Sequence, residues 1–402
     1  MRNDFRTAAL EEAIIPVERP EAPIPGRIYR QIGVRLWGEG AYEREPLDGS
    51  QTRYKTLSRV EADDIIVNKI WARNGSVAVV SKDLAGCYGS NEFPTFVPIQ
   101  EKLHPRWFHW YTKTKAFWDQ CDQKSRGTSG KNRIRPERFL EVEIPLPPLS
   151  EQRRIVARIE ELAGKIEEAR GLRRQSVEEA QAVVSRATSS LVDEAGWTIR
   201  PLGELLMESP RNGLSPKPEI ENNGRPMLRI NAVSSSPTRF VDLTAIKMVE
   251  VSDEEAAPFE LRNDDVFIVR YNGDINRVAK PGIYKGIDPC YSVYPDKLMR
   301  LRPDRSKMLP DFLVFGLCSQ SVREQIEELG KTTAGNIGIS GSNAKSFRVP
   351  VPPLSEQRRI VAELEALQTQ LDALKRLQAE TAVELDAMLP SILDKAFKGE
   401  LL

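Results

Sequence analysis

The 402-residue sequence predicts an α+β protein: two globular α/β domains joined by two long antiparallel helices in a coiled coil, the halves related by a pseudo-two-fold internal repeat. Three observations predict it. The run Pro-Pro-Leu-Ser-Glu-Gln-Arg-Arg-Ile-Val-Ala at residues 147–157 recurs unchanged at residues 352–362, an offset of 205. The offset holds upstream, where Pro105, Thr128, Gly130 and Ile134 match Pro310, Thr333, Gly335 and Ile339, so the repeat is a whole domain plus a helix. Downstream of each copy, apolar positions step by three and four as a helical seam does.

Along the chain, the first half opens with Ala9-Leu-Glu-Glu-Ala-Ile-Ile15 and a proline-rich stretch, whereas the second opens with Gly196-Trp-Thr-Ile-Arg-Pro-Leu-Gly-Glu204. The two starts differ in sequence. A looser match follows, Asp63-Asp-Ile-Ile-Val67 against Asp264-Asp-Val-Phe-Ile268, each leading into a polar turn: Lys69, Arg73 and Asn74-Gly75 in one half, Arg270, Asn272-Gly273, Asp274 and Arg277 in the other. Arg, Asn and Asp are the side chains that read base edges in the major groove. Asn-Gly also favours a plain hairpin turn, and both readings stay open.

From Lys102 to Arg138 ten basic and three acidic residues interleave with Trp107, Phe108, Trp110, Tyr111, Phe117 and Trp118. That composition fits a nucleic-acid surface, with Lys113, Lys115 and Lys124 as candidate contacts. The spacing of Trp107, Phe108, Tyr111 and Trp118 also fits a buried helix face, which makes most of the aromatics core. The next loop carries Arg126, Thr128, Lys131 and Arg133, and its second copy Lys331, Thr332, Thr333 and Asn336. Small and hydroxylated residues beside a cation let a backbone approach phosphate closely.

After each Pro-Pro-Leu a serine, Ser150 or Ser355, stands at a helix N-cap position, with Glu151 or Glu356 in the first turn. The stripes run through Ile155, Ile159, Leu162, Ile166, Ala169 and Leu172, and through Ile360, Leu364, Leu367, Leu371, Leu374 and Leu377. They resume at Ala180, Val183 and Ala187 beside Leu385, Met388 and Ile392. About 40 helical residues extend roughly 60 Å, longer than a domain surface needs, so the two stripes are expected to pack on one another and bring the tail around Phe397 back to the first domain.

Fifty-eight basic residues balance 58 acidic ones, yet residues 1–145 hold 23 basic against 20 acidic and residues 351–402 hold 6 against 9. Globular parts lean positive and helices negative. No long uncharged apolar run and no secretory leader is visible, so a cytoplasmic location without membrane contact is expected. Two histidines, His104 and His109, exclude His-rich metal sites, and the separated Cys87, Cys121, Cys290 and Cys318 argue against structural zinc. Gly330-Lys331-Thr332 mimics the tail of a phosphate-binding loop without its first glycine. Asp288-Pro-Cys-Tyr291 falls one residue short of an amino-methyltransferase motif, and Asp296 and Asp304 form no nuclease pattern. No catalytic residue and no metal site is expected.

The two Pro-Pro-Leu-Ser-Glu-Gln-Arg-Arg-Ile-Val copies and the tail Leu389-Pro-Ser-Ile-Leu-Asp-Lys-Ala-Phe-Lys-Gly-Glu-Leu401 make the whole chain resemble the specificity subunit of type I restriction-modification enzymes. The resemblance implies target-recognition domains at 1–145 and 197–350, a central helical spacer at 146–196 and a C-terminal one at 351–402. Each domain would read half of a bipartite, asymmetric target in double-stranded DNA. Two modification (methyltransferase) subunits would bind and restriction (translocase/nuclease) subunits could join. S-adenosylmethionine, ATP and Mg would belong to those partners, with no cofactor on this chain. Ser150, Glu151, Gln152, Arg153 and Arg154, with Ser355, Glu356, Gln357, Arg358 and Arg359, are the candidate docking residues, since they stay fixed where the domains vary; locking the domain-to-helix junction would explain them equally. The rival readings are a coiled-coil scaffold that does not bind DNA and a self-sufficient methyltransferase or nuclease.

Overall fold

The structure, a computed structural model, describes residues 5–125, 132–194, 196–217, 224–236, 238–286, 292–333 and 336–401. It divides into two compact units, Met1–Arg173 with Ala379–Leu402, and Arg174–Gln378.

In the first unit a four-stranded antiparallel sheet runs Ile14–Val17, Thr95–Pro98, Ile65–Val67, Val77–Val79. A five-stranded sheet runs Pro20–Glu21, Leu57–Arg59, Tyr88–Gly89, Ile28–Val34, Ala41–Asp48, with Tyr88–Gly89 parallel to Ile28–Val34. Helices Pro105–Tyr111, Lys115–Ser125 and Pro136–Leu140 follow, the first and last opening on the proline that suits a first helical position. Trp107, Phe108, Phe117 and Phe139 are fully buried in one cluster with Ile155 and Ile159 of the long helix and with Leu393 and Ala396 near the chain end. Each such aliphatic or Phe side chain contributes roughly 1.5–3 kcal/mol by leaving water. Phe397 sets its ring 4.7 Å from Trp107 and 5.0 Å from Tyr111, so the tail closes this core as the sequence predicts.

The second unit has the corresponding antiparallel sheet, Arg211–Asn212, Leu298–Leu301, Val266–Val269, Pro281–Ile283. Helices Pro310–Cys318 and Gln320–Leu329 pack beneath it. Two smaller sheets are added, Arg225–Leu228 with Ile246–Val249, and Tyr271–Asn272, Asn336–Gly338, Lys331–Thr333.

The two starts, unlike in sequence, are alike in structure. Thr7–Ala9 pairs with Glu143–Pro145, and Thr198–Pro201 pairs with Arg348–Val351. A buried leucine follows each, its N–H bonded to the matched carbonyl: Leu10 to Val142 at 2.9 Å, Leu202 to Phe347 at 2.7 Å. The Asp-Asp pairs are also duplicated. Asp63 and Asp264 take left-handed backbone, at φ 68° and 70°. Asp64 and Asp265 are buried, accepting from Arg19 and from Arg302 respectively.

The helix Leu149–Val192 is 44 residues long. The C-terminal stripe is two helices, Leu354–Glu380 and Ala382–Phe397, parted at Thr381, and the second contains Pro390. The helices pair antiparallel within each unit. In the first, Arg170 reaches Asp386 and Arg173 the Thr381 hydroxyl. In the second, Val192 shares a core with Ile360 and Leu364.

Two details of the sequence reading are corrected. Both long helices begin at the leucine, so Ser150 and Ser355 lie inside the first turn while the Pro148 and Pro353 carbonyls accept from Gln152 and Gln357 N–H. The resumed seam is half-buried at Ala180, Ala187, Leu385 and Ile392 but shifts by one residue at two positions: Val183 and Met388 are 47% and 48% exposed, and Val184 and Leu389 are half-buried instead. Leu172 and Leu377, the last residues of the first stripes, are also exposed. An α-helix drifts about 20° per heptad from a 3.5-residue repeat, so over the four heptads from Ile155 to Val183, or from Ile360 to Met388, the drift reaches roughly 80°, close to the roughly 100° between neighbouring positions.

Candidate nucleic-acid interface

The polar turns and the basic loops lie far apart in sequence, and in both units the backbone brings them together with the same bonds. Ile134 N–H donates to the Lys69 carbonyl at 2.9 Å, and Ile339 N–H to the Arg270 carbonyl at 2.9 Å. Lys69 N–H donates to the Glu92 carbonyl at 3.0 Å, and Arg270 N–H to the Lys297 carbonyl at 2.9 Å. The residue that opens each recognition turn is therefore clamped on both sides by main chain, leaving its side chain and those after it free to vary.

In the first unit the turn leaves strand Ile65–Val67, passes through the short helical turn Ala72–Asn74 and returns along Val77–Val79. It is a long hairpin connection, not a two-residue one. Gly75 ends it at φ 73°, where an added Cβ would lie 2.6 Å from Trp118 Nε1 and 2.9 Å from Gly38 N. Arg73 lies over the Trp71 ring at 5.7 Å. Lys69 and Asn74 are half-buried on the same turn. Arg133, at the end of the basic loop, pairs with Glu92 at 3.1 Å. Arg126, Thr128 and Lys131 lie outside the described residues.

Lys113, Lys115 and Lys124 are engaged elsewhere. Lys113 is half-buried, donates to the Gly38 carbonyl at 2.7 Å and is pushed down in pKa by that burial. Lys115 pairs with Asp119 at 2.6 Å and Lys124 with Glu141 at 2.8 Å. The aromatics beside them are core, as the helical spacing indicates, and His109 is packed against Trp110 with its pKa pushed down to about 3 by desolvation. An imidazole in that setting is neutral.

In the second unit Asn272 lies on a strand beside Ile337, and Lys331–Thr333 pairs across Asn336–Gly338, so the polar turn and the basic loop singled out in sequence meet in one small three-stranded sheet. Asn272 Oδ1 accepts from Asp274 N–H at 3.0 Å, and Asp274 Oδ1 accepts from Asn276 N–H at 3.0 Å. Arg277 lies 3.7 Å from Asp274, exposed at the tip, and Asn336, at the start of the central strand, is exposed as well. Arg270 reaches the Asp296 carbonyl at 3.4 Å and lies over the Tyr271 ring. Gly330 follows a helix and enters a strand, the reverse of the order a phosphate-binding loop needs. Asp304 is spent on Ser306 and Lys307, bonds that draw its pKa down to about 2. The segment Asp288 to Tyr291 lies outside the described residues.

Two residues escaped the sequence reading. Lys297 stands where the first half has Glu92; it is exposed and pairs with no other described residue. Trp37, 52% exposed, sits against the Asn74 turn. The repeat offset signals the first, because Glu92 and Lys297 are 205 apart. A bulky residue before Gly38 and Gly40 is the weaker signal of the second.

The repeated Ser-Glu-Gln-Arg-Arg segment splits into a buried and an exposed part. Gln152 Nε2 donates to the Lys102 carbonyl at 2.7 Å and the Pro147 carbonyl at 2.8 Å, and its Oε1 accepts from His104 N–H at 2.9 Å. Gln357 repeats all three bonds with Lys307, Pro352 and Leu309. Both are fully buried, so they lock the junction and offer no docking surface. Arg154 and Arg359 pair with Glu151 and Glu356 one turn back, at 2.7 Å each. Ser150, Arg153, Ser355 and Arg358 are exposed, and the two arginines pair with no other described residue.

Among the described residues no helix is long and apolar enough to cross a membrane. A family model for the type I restriction modification DNA specificity domain matches twice, over residues 42–175 and 194–384. The chain is 31% identical over 303 residues to the type I restriction enzyme EcoKI specificity subunit of Escherichia coli (strain K12), a match that covers 72% of this chain and 64% of that protein, less than two thirds of its length. It is 26% identical over 367 residues to the StySPI specificity subunit of Salmonella potsdam, covering 86% of this chain and 76% of that one. The HsdS subunit from Thermoanaerobacter tengcongensis has the same fold at TM-score 0.58 and 25% identity, covering 99% of this chain and 98% of its own. A chain from a structure of complex assembly and conformational transition in the type I R-M system aligns at TM-score 0.73 and 24% identity over 99% of both, a likeness of fold. With two matched segments spanning most of its length, each holding one clamped turn and one glutamine-locked junction, the chain belongs to the family of type I restriction-modification DNA specificity domains.

Proposed function

We propose that this chain is the DNA specificity subunit of a type I restriction-modification complex, working in the cytoplasm. Its target-recognition domains, 1–145 and 197–350, each read half of a bipartite, asymmetric sequence in double-stranded DNA, and the spacers 146–196 and 351–402 set the distance between half-sites. One observation carries the reading: the same backbone clamp holds Lys69 and Arg270 while the side chains around them differ, which is what two readers of different sequence on one scaffold require. Arg73, Asn74 and Arg133 in one half, and Arg270, Asn272, Arg277, Lys331, Thr332, Thr333 and Asn336 in the other, are the proposed contacts, with Asp274 ordering its turn.

The chain does no chemistry in this proposal. S-adenosylmethionine, ATP and Mg act in two methyltransferase subunits and in the restriction subunits that join them, and this chain binds none of the three. Ser150, Arg153, Ser355 and Arg358 face solvent in both copies and give the methyltransferases two equivalent docking points. A scaffold that binds no DNA is not favoured, because a scaffold has no need of two divergent turns on a duplicated clamp. The test is to map methylated bases in cells expressing this chain with its neighbouring methyltransferase, and again with residues 197–350 exchanged for another second domain. A bipartite motif of which one half changes supports the proposal. An unchanged methylome, with both proteins present and folded, overturns it.

A further inference from the structure

The hairpin tip between strands Ile28–Val34 and Ala41–Asp48 is built around a tryptophan in an unfavourable backbone conformation. Trp37 has φ 58°, with Gly38 and Gly40 at 69° and 92°. Left-handed backbone at a bulky residue costs about 1–3 kcal/mol and persists only where the surroundings impose it. Here they do. Trp37 N–H donates to the Asn74 carbonyl at 2.6 Å, Gly38 N–H donates to the Gly75 carbonyl at 3.0 Å, and Lys113 Nζ holds the Gly38 carbonyl. A Cβ at Gly38 would meet Lys113 Cα at 2.8 Å and one at Gly75 would meet Gly38 N at 2.9 Å, so the tip is wedged between the recognition turn and the Lys113 backbone with no slack.

Asparagine or glycine would fit this backbone without strain, and a tryptophan that only packed would be buried. Trp37 is 52% exposed, with its edge against Trp118 at 5.5 Å. Trp71, on the recognition turn itself, is 44% exposed. Two cations sit on aromatic faces nearby, Arg73 over Trp71 and Arg35 over Tyr42 at 5.1 Å. Rigid aromatic surface flanked by arginines matches a nucleobase between phosphates, since every base offers a π-face and the backbone supplies the anions.

The geometry points to Trp37, supported by Trp71, as an aromatic wedge by which the first domain contacts bases of its half-site. The inference rests on the reading of the chain as a specificity subunit and adds residues to it. The matched position of Trp71 in the second copy is Asn272, so the supporting tryptophan belongs to the first half alone.

The experiment is Trp37→Asn in the assembled complex with the methyltransferase. Asparagine tolerates the left-handed backbone, so the melting temperature should hold or rise. Affinity for a duplex carrying the mapped motif should fall about tenfold, and discrimination should relax at one or two positions of the first domain's half while the other half stays intact. Trp71→Ala should move the same readouts by a smaller factor. Wild-type affinity and an unchanged motif would overturn the wedge. So would loss of methyltransferase co-purification, which makes the tip a protein-docking surface. Failure of the underlying reading is seen separately, in a wild-type complex that methylates no bipartite motif.

Discussion

The two recognition domains share the bonds that hold them and differ in the side chains they display. Leu10 and Leu202, Asp64 and Asp265, Lys69 and Arg270, Gln152 and Gln357 make matched contacts in the two units, most of them to main chain. Against that frame, Trp71 stands where the other half has Asn272, Arg73 where it has Asp274, Glu92 where it has Lys297, and Lys113 where it has Cys318. Main-chain hydrogen bonds do not depend on which residue supplies them, so the displayed positions change at little cost to the fold. The frame is consequently the place where substitution costs stability, and the display the place where it changes recognition.

The largest effect expected is at the junction. Gln152→Leu or Gln357→Leu would strand one N–H and two carbonyls in a buried position, at about 1–3 kcal/mol for each group left unsatisfied, so roughly 3–9 kcal/mol in all. Urea unfolding followed by hydrogen exchange should show the loss in the unit that carries the substitution, and of equal size in the two variants. A cost under about 1.5 kcal/mol for either would mean that the matched glutamines do not hold matched junctions.

A second asymmetry is sensitive to pH. Burial lowers the His109 pKa to about 3 from its ordinary 6.5, and the matched residue in the second unit is Val314. The neutral ring is the folded form, so its stability is complete above pH 6.5 and falls as acid protonates the unfolded chain. Between pH 6.5 and 5 the first unit should lose about 2 kcal/mol on this account. His109→Val should flatten that slope in the first unit, measured as the difference between the two urea-midpoint profiles. Identical profiles would show that the ring takes up its proton in the folded state.

Much of this was legible in sequence because the repeat supplied a second reading of every position. Duplication marked the junction, the paired turns and the closing tail at Phe397 without any coordinates. What it hid was proximity. Lys113 reads as a free cation in a basic segment, and only the approach of Gly38, 75 residues earlier, removes it from the surface. The seam lost register at Val183 and Met388 because a heptad repeat and an α-helix part company over several turns, a drift no local pattern records. The first domain's start looked divergent because its side chains are, while the bond that fixes it is the N–H of Leu10.

The smallest effect expected tests the display itself. Lys297 is exposed without a described partner beside the Arg270 turn, whereas Glu92, at the same place in the first half, pairs with Arg133. The second reader thus carries one more positive and one fewer negative charge at a matched point. If Lys297 meets a phosphate, Lys297→Glu should weaken binding severalfold for every sequence and lower the slope of log affinity against log salt by about 0.9, without altering the methylated motif. Glu92→Lys should do the reverse, freeing Arg133 and strengthening binding of the first half. A changed motif in either variant would move position 92/297 from the phosphate frame to base readout. Unchanged salt slopes in both would place DNA elsewhere, past the Trp37 tip in the first domain and past Asn336 in the second.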